Sequence, residues 1–237
     1  MIAGIIAAGL GERLQARGIR TPKPLIEIAG RPLIARAINA LCAAGASRIA
    51  CIVNAETDQV RDYLRAVAWP VPVDVLQRTT ASSAESFLAL RPLLSHAPFL
   101  LTTVDTICAP SALVALAARG RALSPTASVL GVTTTVDDEK PLWAEMADDD
   151  RIRSLGDPAR ARHVTAGVYF LQPLVYSLAD EAAPRAFTAF RAVLGALLAH
   201  GHPLHGFDVG AAIDVDRPED IVAAERLLGL NVRCGAS

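Results

Sequence analysis

The sequence predicts an α/β fold, with a doubly wound, mostly parallel sheet carrying helices on both faces, and three observations lead there. Residues 1–8 form a short continuous apolar run with Ile2, Ile5 and Ile6, the pattern of a strand buried on both sides of a parallel sheet. A glycine pair, Gly9 and Gly11, interrupts the run at once. Over the first half of the chain, apolar runs then alternate with helix-period segments, which is the signature of successive βαβ units.

The elements follow in order. Residues 25–29 form a short strand, and Gly30-Arg31-Pro32 opens a helix with proline in its first turn, where a missing N–H costs nothing. Ile34, Ile38 and Leu41 share one face of that helix, and Gly45 ends it. Residues 48–54 make the second strand, and Thr57 caps a helix carrying Val60, Leu64 and Val67. A third strand spans 71–76. Ser82 and Glu85 form a capping box ahead of Phe87, Leu88, Leu90 and Leu94. The strand 98–104 runs into Asp105, and a helix covers about 111–119.

The second half is less regular. A β-branched strand spans 127–136, and turns at 137–140 and 148–150 bracket a short piece around Trp143. A strand covers 163–171, an amphipathic helix 187–200, and a short strand 203–207. The terminal helix turns Ile221, Ala224 and Leu228 inward. No repeat or linker-like stretch divides the chain. The expectation is one domain over 1–237, with a Rossmann-like nucleotide-binding half to about residue 125 and a mixed half from about 126.

Composition narrows the function. With 237 residues the chain can build a substantial core, burying roughly 70% of its unfolded surface. Lys plus Arg (23) nearly balances Asp plus Glu (24), and no basic run could track a phosphate backbone, so nucleic acid is excluded as a partner. Cys42, Cys51, Cys108 and Cys234 are widely spaced, without C-x-x-C, as reduced thiols in a cytoplasmic protein are. No apolar run is long enough for a membrane span, and the start of the chain carries no leader signal. His200, His202 and His205 straddle Gly201 and Pro203 without helical pairing, which argues against zinc.

The chemistry concentrates in residues 1–25. Gly9-x-Gly11 lacks the third glycine of a dinucleotide loop, because position 14 is Leu14, and no Gly-Lys-Ser or Gly-Lys-Thr supplies a Walker loop. What remains is Gly9-Leu10-Gly11-Glu12-Arg13, then Thr21-Pro22-Lys23-Pro24-Leu25. Glycines allow backbone amides to turn toward an anion, and a guanidinium and an ammonium divide well between phosphate oxygens. Asp105 ends an apolar strand on the sheet edge where the glycine loop lies, the edge at which open α/β sheets bind ligands. Asp214 and Asp216 alternate along an extended segment, so they point the same way. Asp216 also begins a D-x-x-E capping box with Glu219.

These strings resemble the nucleotidyltransferases that make NDP-sugars and related activated alcohols. The resemblance implies transfer of an NMP from an NTP to a phosphorylated acceptor, foremost a sugar 1-phosphate, with release of pyrophosphate. It implies Arg13 and Lys23 as catalytic cations, and Ala7, Ala8, Gly9, Gly11 and Arg13 around the triphosphate. It also implies Mg²⁺ on Asp105 with a second carboxylate. The ending Ile213-Asp214-Val215-Asp216-Arg217-Pro218-Glu219-Asp220 is similar to two endings found in the family, so the second ligand is Asp214 by one alignment and Asp216 by the other. Asp214 is the expected ligand, with capping left to Asp216.

The hydroxyl-rich loop holding Thr80, Ser82 and Ser83 lies where relatives read the base, and its shortness favours a pyrimidine NTP. Ala166-Gly167-Val168-Tyr169 resembles the acceptor strand N-x-G-x-Y, with Thr165 or Ala166 in place of the asparagine. The family's E-K-P acceptor motif is absent, and Gly156-Asp157-Pro158 stands in its place. Thr165, Gly167, Tyr169, Arg160 and Arg162 are therefore the expected acceptor contacts. Two alternatives stay open: a cytidylyltransferase for a non-sugar alcohol phosphate, and a non-catalytic nucleotide sensor. An oligomer is compatible with either.

Overall fold

The computed structural model describes residues 1–123, 125–136, 141–181 and 187–229. Strand β1 (Ile2–Ala7) is followed by the short helix α1 (Glu12–Ala16), a 3₁₀ turn at Lys23–Leu25, and the small strands β2 (Glu27–Ile28) and β3 (Arg31–Pro32). Helix α2 (Leu33–Ala43), β4 (Arg48–Val53), α3 (Asp58–Ala66), β5 (Val73–Gln77), α4 (Ser83–Ala89) and α5 (Arg91–Leu94) continue the alternation. Next come β6 (Phe99–Thr103), β7 (Thr106–Cys108), α6 (Pro110–Ala122), β8 (Ser128–Thr133), β9 (Trp143–Met146), β10 (Ile152–Leu155) and β11 (His163–Leu171). The chain closes with α7 (Leu174–Glu181), α8 (Phe190–Ala199), β12 (Leu204–Asp208), β13 (Ala212–Asp214) and α9 (Pro218–Leu227).

The main sheet runs β10-β9-β11-β6-β1-β4-β5, with β8 also on β11 and β12 on β8. Its central run, β6-β1-β4-β5, is parallel throughout, while β11 pairs antiparallel with β6, β8 and β9. The second half is mixed for that reason. Strand alternation divides the core between the two faces of the sheet. Ala3, Ile5, Ala7, Ile49, Cys51 and Val53 pack on one side with α2, α3, α6 and α9; Ile6, Ala50 and Ile52 pack on the other with α4, α7 and α8. A two-faced apolar strand such as β1 has to lie centrally in such a sheet.

Several local expectations change. Pro32 is the N-cap residue of α2, outside its first turn, because Arg31–Pro32 is drawn into a two-stranded ribbon with β2. Thr57 occupies the N-cap of α3, yet its hydroxyl donates backward to the Asn54 carbonyl and caps nothing. The helix expected from residue 187 begins at Phe190. Strand β7 was not foreseen; it pairs antiparallel with β13, matching Thr106 to Asp214. The turn expected at 137–140 and Cys234 lie outside the described residues. Cys42, Cys51 and Cys108 are free thiols, and burial pushes Cys51 up to about 12. Among the described residues no helix is long and apolar enough to cross a membrane.

Candidate active site

The carboxyl ends of the parallel strands converge on a cleft of about 450 Å³. One wall is the loop leaving β1: Ala8, Gly9, Leu10 and Gly11, with Arg13 from α1. Gly11 sits in the left-handed region at φ 68°, and an added Cβ would lie 3.0 Å from the Lys23 Cβ. A side chain there is strained and crowds the lysine, which explains the glycine. Ala7 is not part of this wall; it pairs with Val53 at the end of β1 and turns its methyl into the core.

Lys23 is 7% exposed. The 3₁₀ turn carries it under the glycine loop, where Nζ donates to Asp105 Oδ2 at 2.5 Å and to Asp216 Oδ1 at 2.6 Å. Arg13 donates to the other Asp216 oxygen at 2.9 Å. Burial alone disfavours the Lys23 ammonium, but the two carboxylates outweigh it and hold the pKa above the usual lysine value. Burial likewise works to raise Asp105, whereas the Lys23 charge and hydrogen bonds from Lys23 and Thr103 keep it below the usual carboxylate range. The floor of the cleft is thus an ammonium clamped between two carboxylates.

Asp216 does not cap α9. The N-cap residue is Arg217, and Asp220 accepts from the backbone N–H of Asp216 at 2.9 Å and of Arg217 at 2.7 Å. The string P-E-D places two acids in the first turn, and the second one reaches back, leaving the Asp216 carboxylate to the cleft. Asp214 ends β13, where its Oδ1 accepts from Thr106 Oγ1 at 2.7 Å.

The opposite wall is the loop after β5. Thr80, Ser82 and Ser83 line it as expected, together with Thr79, Ala81 and Ser86. Ser82 Oγ accepts from the Glu85 N–H, so capping and cleft lining coexist in one residue. Asn54 was not foreseen as a site residue. It is buried at the end of β4, donates to the Ala8 carbonyl at 3.1 Å, and accepts from Glu56 N–H and the Thr79 hydroxyl. One amide therefore fixes both walls. An isolated buried Asn after an apolar strand was the available signal, since such a group has to find partners.

A second depression of about 360 Å³ opens beside the first and shares Arg13, Asp105 and Asp216 with it. Thr165, Gly167 and Tyr169 of β11 line it, with Leu142, Phe190, Arg191 and Asp214. Gly167 has φ 66°, and a Cβ there would stand 2.0 Å from Thr106 Oγ1. Tyr169 is raised by burial first and then by the charge of Asp214, so its phenol is neutral at physiological pH. Arg160 and Arg162 do not belong here. Both are exposed on the segment before β11, with Arg160 4.0 Å from Asp157, and neither lines either depression. The cations lining this depression are Arg13 and Arg191, the second of which the sequence offered only as one more charge on a helix.

The profile of the MobA-like NTP transferase domain matches residues 3–201. The chain belongs to that family. It is 25% identical over 93% of its length to a mannose-1-phosphate guanyltransferase of Schizosaccharomyces pombe, of which it covers 62%. It is 28% identical over 92% of its length to a CMP-5'-(3-aminopropyl)phosphonate synthase of Streptomyces rubellomurinus, of which it covers 37%. The chain thus spans less than two thirds of the length of these relatives. Among solved structures, an inositol-1-phosphate CTP transferase from T. maritima superposes with a TM-score of 0.79 at 22% identity, covering 98% of both chains. That likeness establishes the mixed α/β nucleotidyltransferase fold.

Proposed function

We propose that this domain transfers a nucleoside monophosphate from an NTP to a small phosphorylated acceptor and releases pyrophosphate. The reading rests on one observation: a buried ammonium held between Asp105 and Asp216 lies directly beneath a glycine loop, on the floor of a cleft of nucleotide size. An acceptor phosphate oxygen attacks the α-phosphorus in line, and the bond to the bridging oxygen of pyrophosphate breaks with its electron pair. The acceptor phosphate is already ionised near neutral pH, so no protein base is required. Lys23 offers a preorganised positive charge to the reacting phosphates, and Arg13 a planar donor to the leaving pyrophosphate. Holding both substrates in alignment supplies much of the remaining acceleration.

The donor set fits Mg²⁺. The two carboxylates that meet at the Lys23 ammonium both line the cleft, and Mg²⁺ is commonly held by one or two carboxylates together with substrate phosphates. Among the described residues no group of three or more His, Cys, Asp or Glu could form an all-protein cage. Asp105 and Asp216 would hold the ion, which when bound neutralises phosphate charge and orients the triphosphate. Asp216, rather than Asp214, is the partner this reading selects, because it shares Lys23 with Asp105.

For the acceptor, a sugar 1-phosphate ranks first and a non-sugar alcohol phosphate second; the name of one relative carries a sugar 1-phosphate and that of the other a non-sugar phosphonate. A pyrimidine NTP suits the hydroxyl-lined wall. A sensor that only held nucleotide would have no need of the Lys23 clamp. The test is a pyrophosphate-release screen crossing four NTPs with a panel of phosphorylated acceptors. Release should require both an acceptor and Mg²⁺; robust acceptor-free hydrolysis, or turnover unchanged in EDTA, overturns the proposal.

A further inference from the structure

We infer that the protein carries a further ligand site on the other face of the sheet, a pocket for a small amphipathic anion: an apolar body the size of a benzene ring bearing one carboxylate or phosphate. The pocket, of about 150 Å³, lies between α2, β7, the start of α6 and Leu228 at the end of α9. It shares no lining residue with the nucleotide cleft or the second depression. Strand alternation explains the separation. Thr103 and Tyr169 turn to the catalytic side, whereas Thr102 and Val168, one position away on the same strands, line the pocket. Short side chains leave the space open: Ala37 and Ala40 meet it from α2, while the bulkier Ile34, Ile38 and Leu41 of that helix are spent in the core. Ile107, Leu113 and Val168 complete walls that are mainly apolar. An apolar cavity of this size accepts a benzene ring.

The polar end decides the charge of the occupant. Arg31, Arg36 and Asn39 line it, and no acid is among the described residues lining the pocket. Arg31 is exposed and has no hydrogen bond or ion pair among the described residues. Arg36 donates from Nε and one terminal nitrogen to the Ile28 carbonyl, which leaves the other terminal nitrogen to a ligand. Burial and then the charge of Arg31 lower the Arg36 pKa; Glu225 opposes them, but it accepts from the Ala29 N–H and does not line the pocket. Two guanidinium groups that repel one another are relieved by an anion between them, and their planar forks suit the oxygens of a carboxylate or phosphate. A cation would add to the repulsion. A bare inorganic anion would leave the apolar walls unfilled, and an uncharged ring would leave the two arginines as they are. The pocket is answered in full only by a ligand with both parts.

The experiment is a methyl-observed NMR titration of the full chain, without nucleotide, against phenylacetate, phenyl phosphate, phenethylamine and acetate. At least one of the two aromatic anions should bind saturably with a Kd of about 1 mM or tighter, a range open to ligands of this size. It should shift the methyls of Ile107, Leu113, Val168 and Leu228. Phenethylamine and acetate should each bind at least about tenfold more weakly, the first for want of the charge-assisted contact and the second for want of the apolar body. Arg31→Gln should remove most of the preference for anion over amine, and because Arg31 has no partner among the described residues the fold is not at risk. Ala40→Leu fills the cavity and should weaken the aromatic anions by about tenfold or more, with the melting temperature reporting that the variant is folded. The inference is overturned if neither aromatic anion saturates, if the amine or acetate binds as tightly, or if the shifts fall instead on Ile6 and Ala8 of the nucleotide cleft. It is overturned equally if Arg31→Gln keeps the full preference or Ala40→Leu the full affinity. None of these readouts depends on pyrophosphate release, so the pocket stands or falls apart from the catalytic reading.

Discussion

Lys23 and Asp216 lie 193 residues apart in the chain and 2.6 Å apart in the structure. The contact ties the first loop to the turn before α9, so the charged floor forms only when both ends of the described fold are in place. Lys23→Ala should lower kcat by about 10²- to 10³-fold, the effect of removing one preorganised donor to developing charge. A near-normal kcat with only a raised KM would show that Lys23 serves binding alone.

The same variant tests the electrostatics of the clamp. Without the ammonium, Asp105 loses its cationic partner and Asp216 keeps Arg13 but not Lys23, so Mg²⁺ should raise the melting temperature of Lys23→Ala more than that of wild type. The folded Asp105 carboxyl lies below its usual value of 3.8. Its contribution to stability is therefore present above that pH and lost as pH falls through the folded value. Lys23→Ala should flatten the acid limb of the stability profile below about pH 4; an unchanged limb would mean that other carboxylates set it.

Asp220→Ala should cost about 1 kcal/mol by removing the acceptor for two N–H groups at the start of α9. Asp216→Asn should leave those bonds intact and act on the Mg²⁺ requirement instead. Thermal melting alongside activity against Mg²⁺ separates the two. If Asp216→Asn melts lower with an unaltered Mg²⁺ profile, its carboxylate is structural.

What the sequence showed and what it hid follow from the range of the forces involved. The burial of β1, the glycine break and the cap at Ser82 depend on neighbours within a few residues, and these were legible. Lys23 was legible as a residue type in a motif, but its burial between two acids depends on β7 and β13 pairing across 108 positions. The capping role expected of Asp216 failed for a local reason. D-x-x-E and the adjacent Asp220 offer competing caps, and only the geometry of the first turn shows that Asp220 wins. Arg160 and Arg162 were drawn in because they precede the acceptor strand in sequence, while Arg191 reaches the site from a helix that carries no motif.

His202 should make the fold acid-sensitive. It is buried, its Nε2 lies 2.8 Å from Ser128 Oγ, and its Nδ1 has no hydrogen-bond partner among the described residues. Burial lowers its pKa from 6.5, so the neutral form is favoured in the fold. Stability from this group is complete above the ordinary value and declines as pH falls below it, because the unfolded chain takes up the proton first. His202→Gln should reduce the fall in melting temperature between about pH 7 and pH 5. His205, also lowered mainly by burial, should preserve part of it. An unaltered slope in the variant would assign the acid sensitivity elsewhere.

The nucleotide preference follows from the wall opposite the glycine loop. Thr79, Thr80, Ser82, Ser83 and Ser86 bring hydroxyls to the cleft, and among the described residues no aromatic ring lines it. Short hydroxyl side chains can meet the edge of a single-ring base, whereas a purine would have to lie in the cleft without a ring to stack on. CTP or UTP should therefore exceed ATP and GTP in kcat/KM. The control is Asn54→Leu, which cuts the ties to Ala8 and Thr79 that hold the two walls in register. It should raise KM for all four nucleotides together, since it disturbs the frame rather than the base contacts. Competition among the four NTPs at limiting concentration decides the matter. If GTP or ATP wins by more than about tenfold, a difference of about 1.4 kcal/mol in the transition state, the hydroxyl wall does not read the base, and recognition falls to backbone groups beside Ala8.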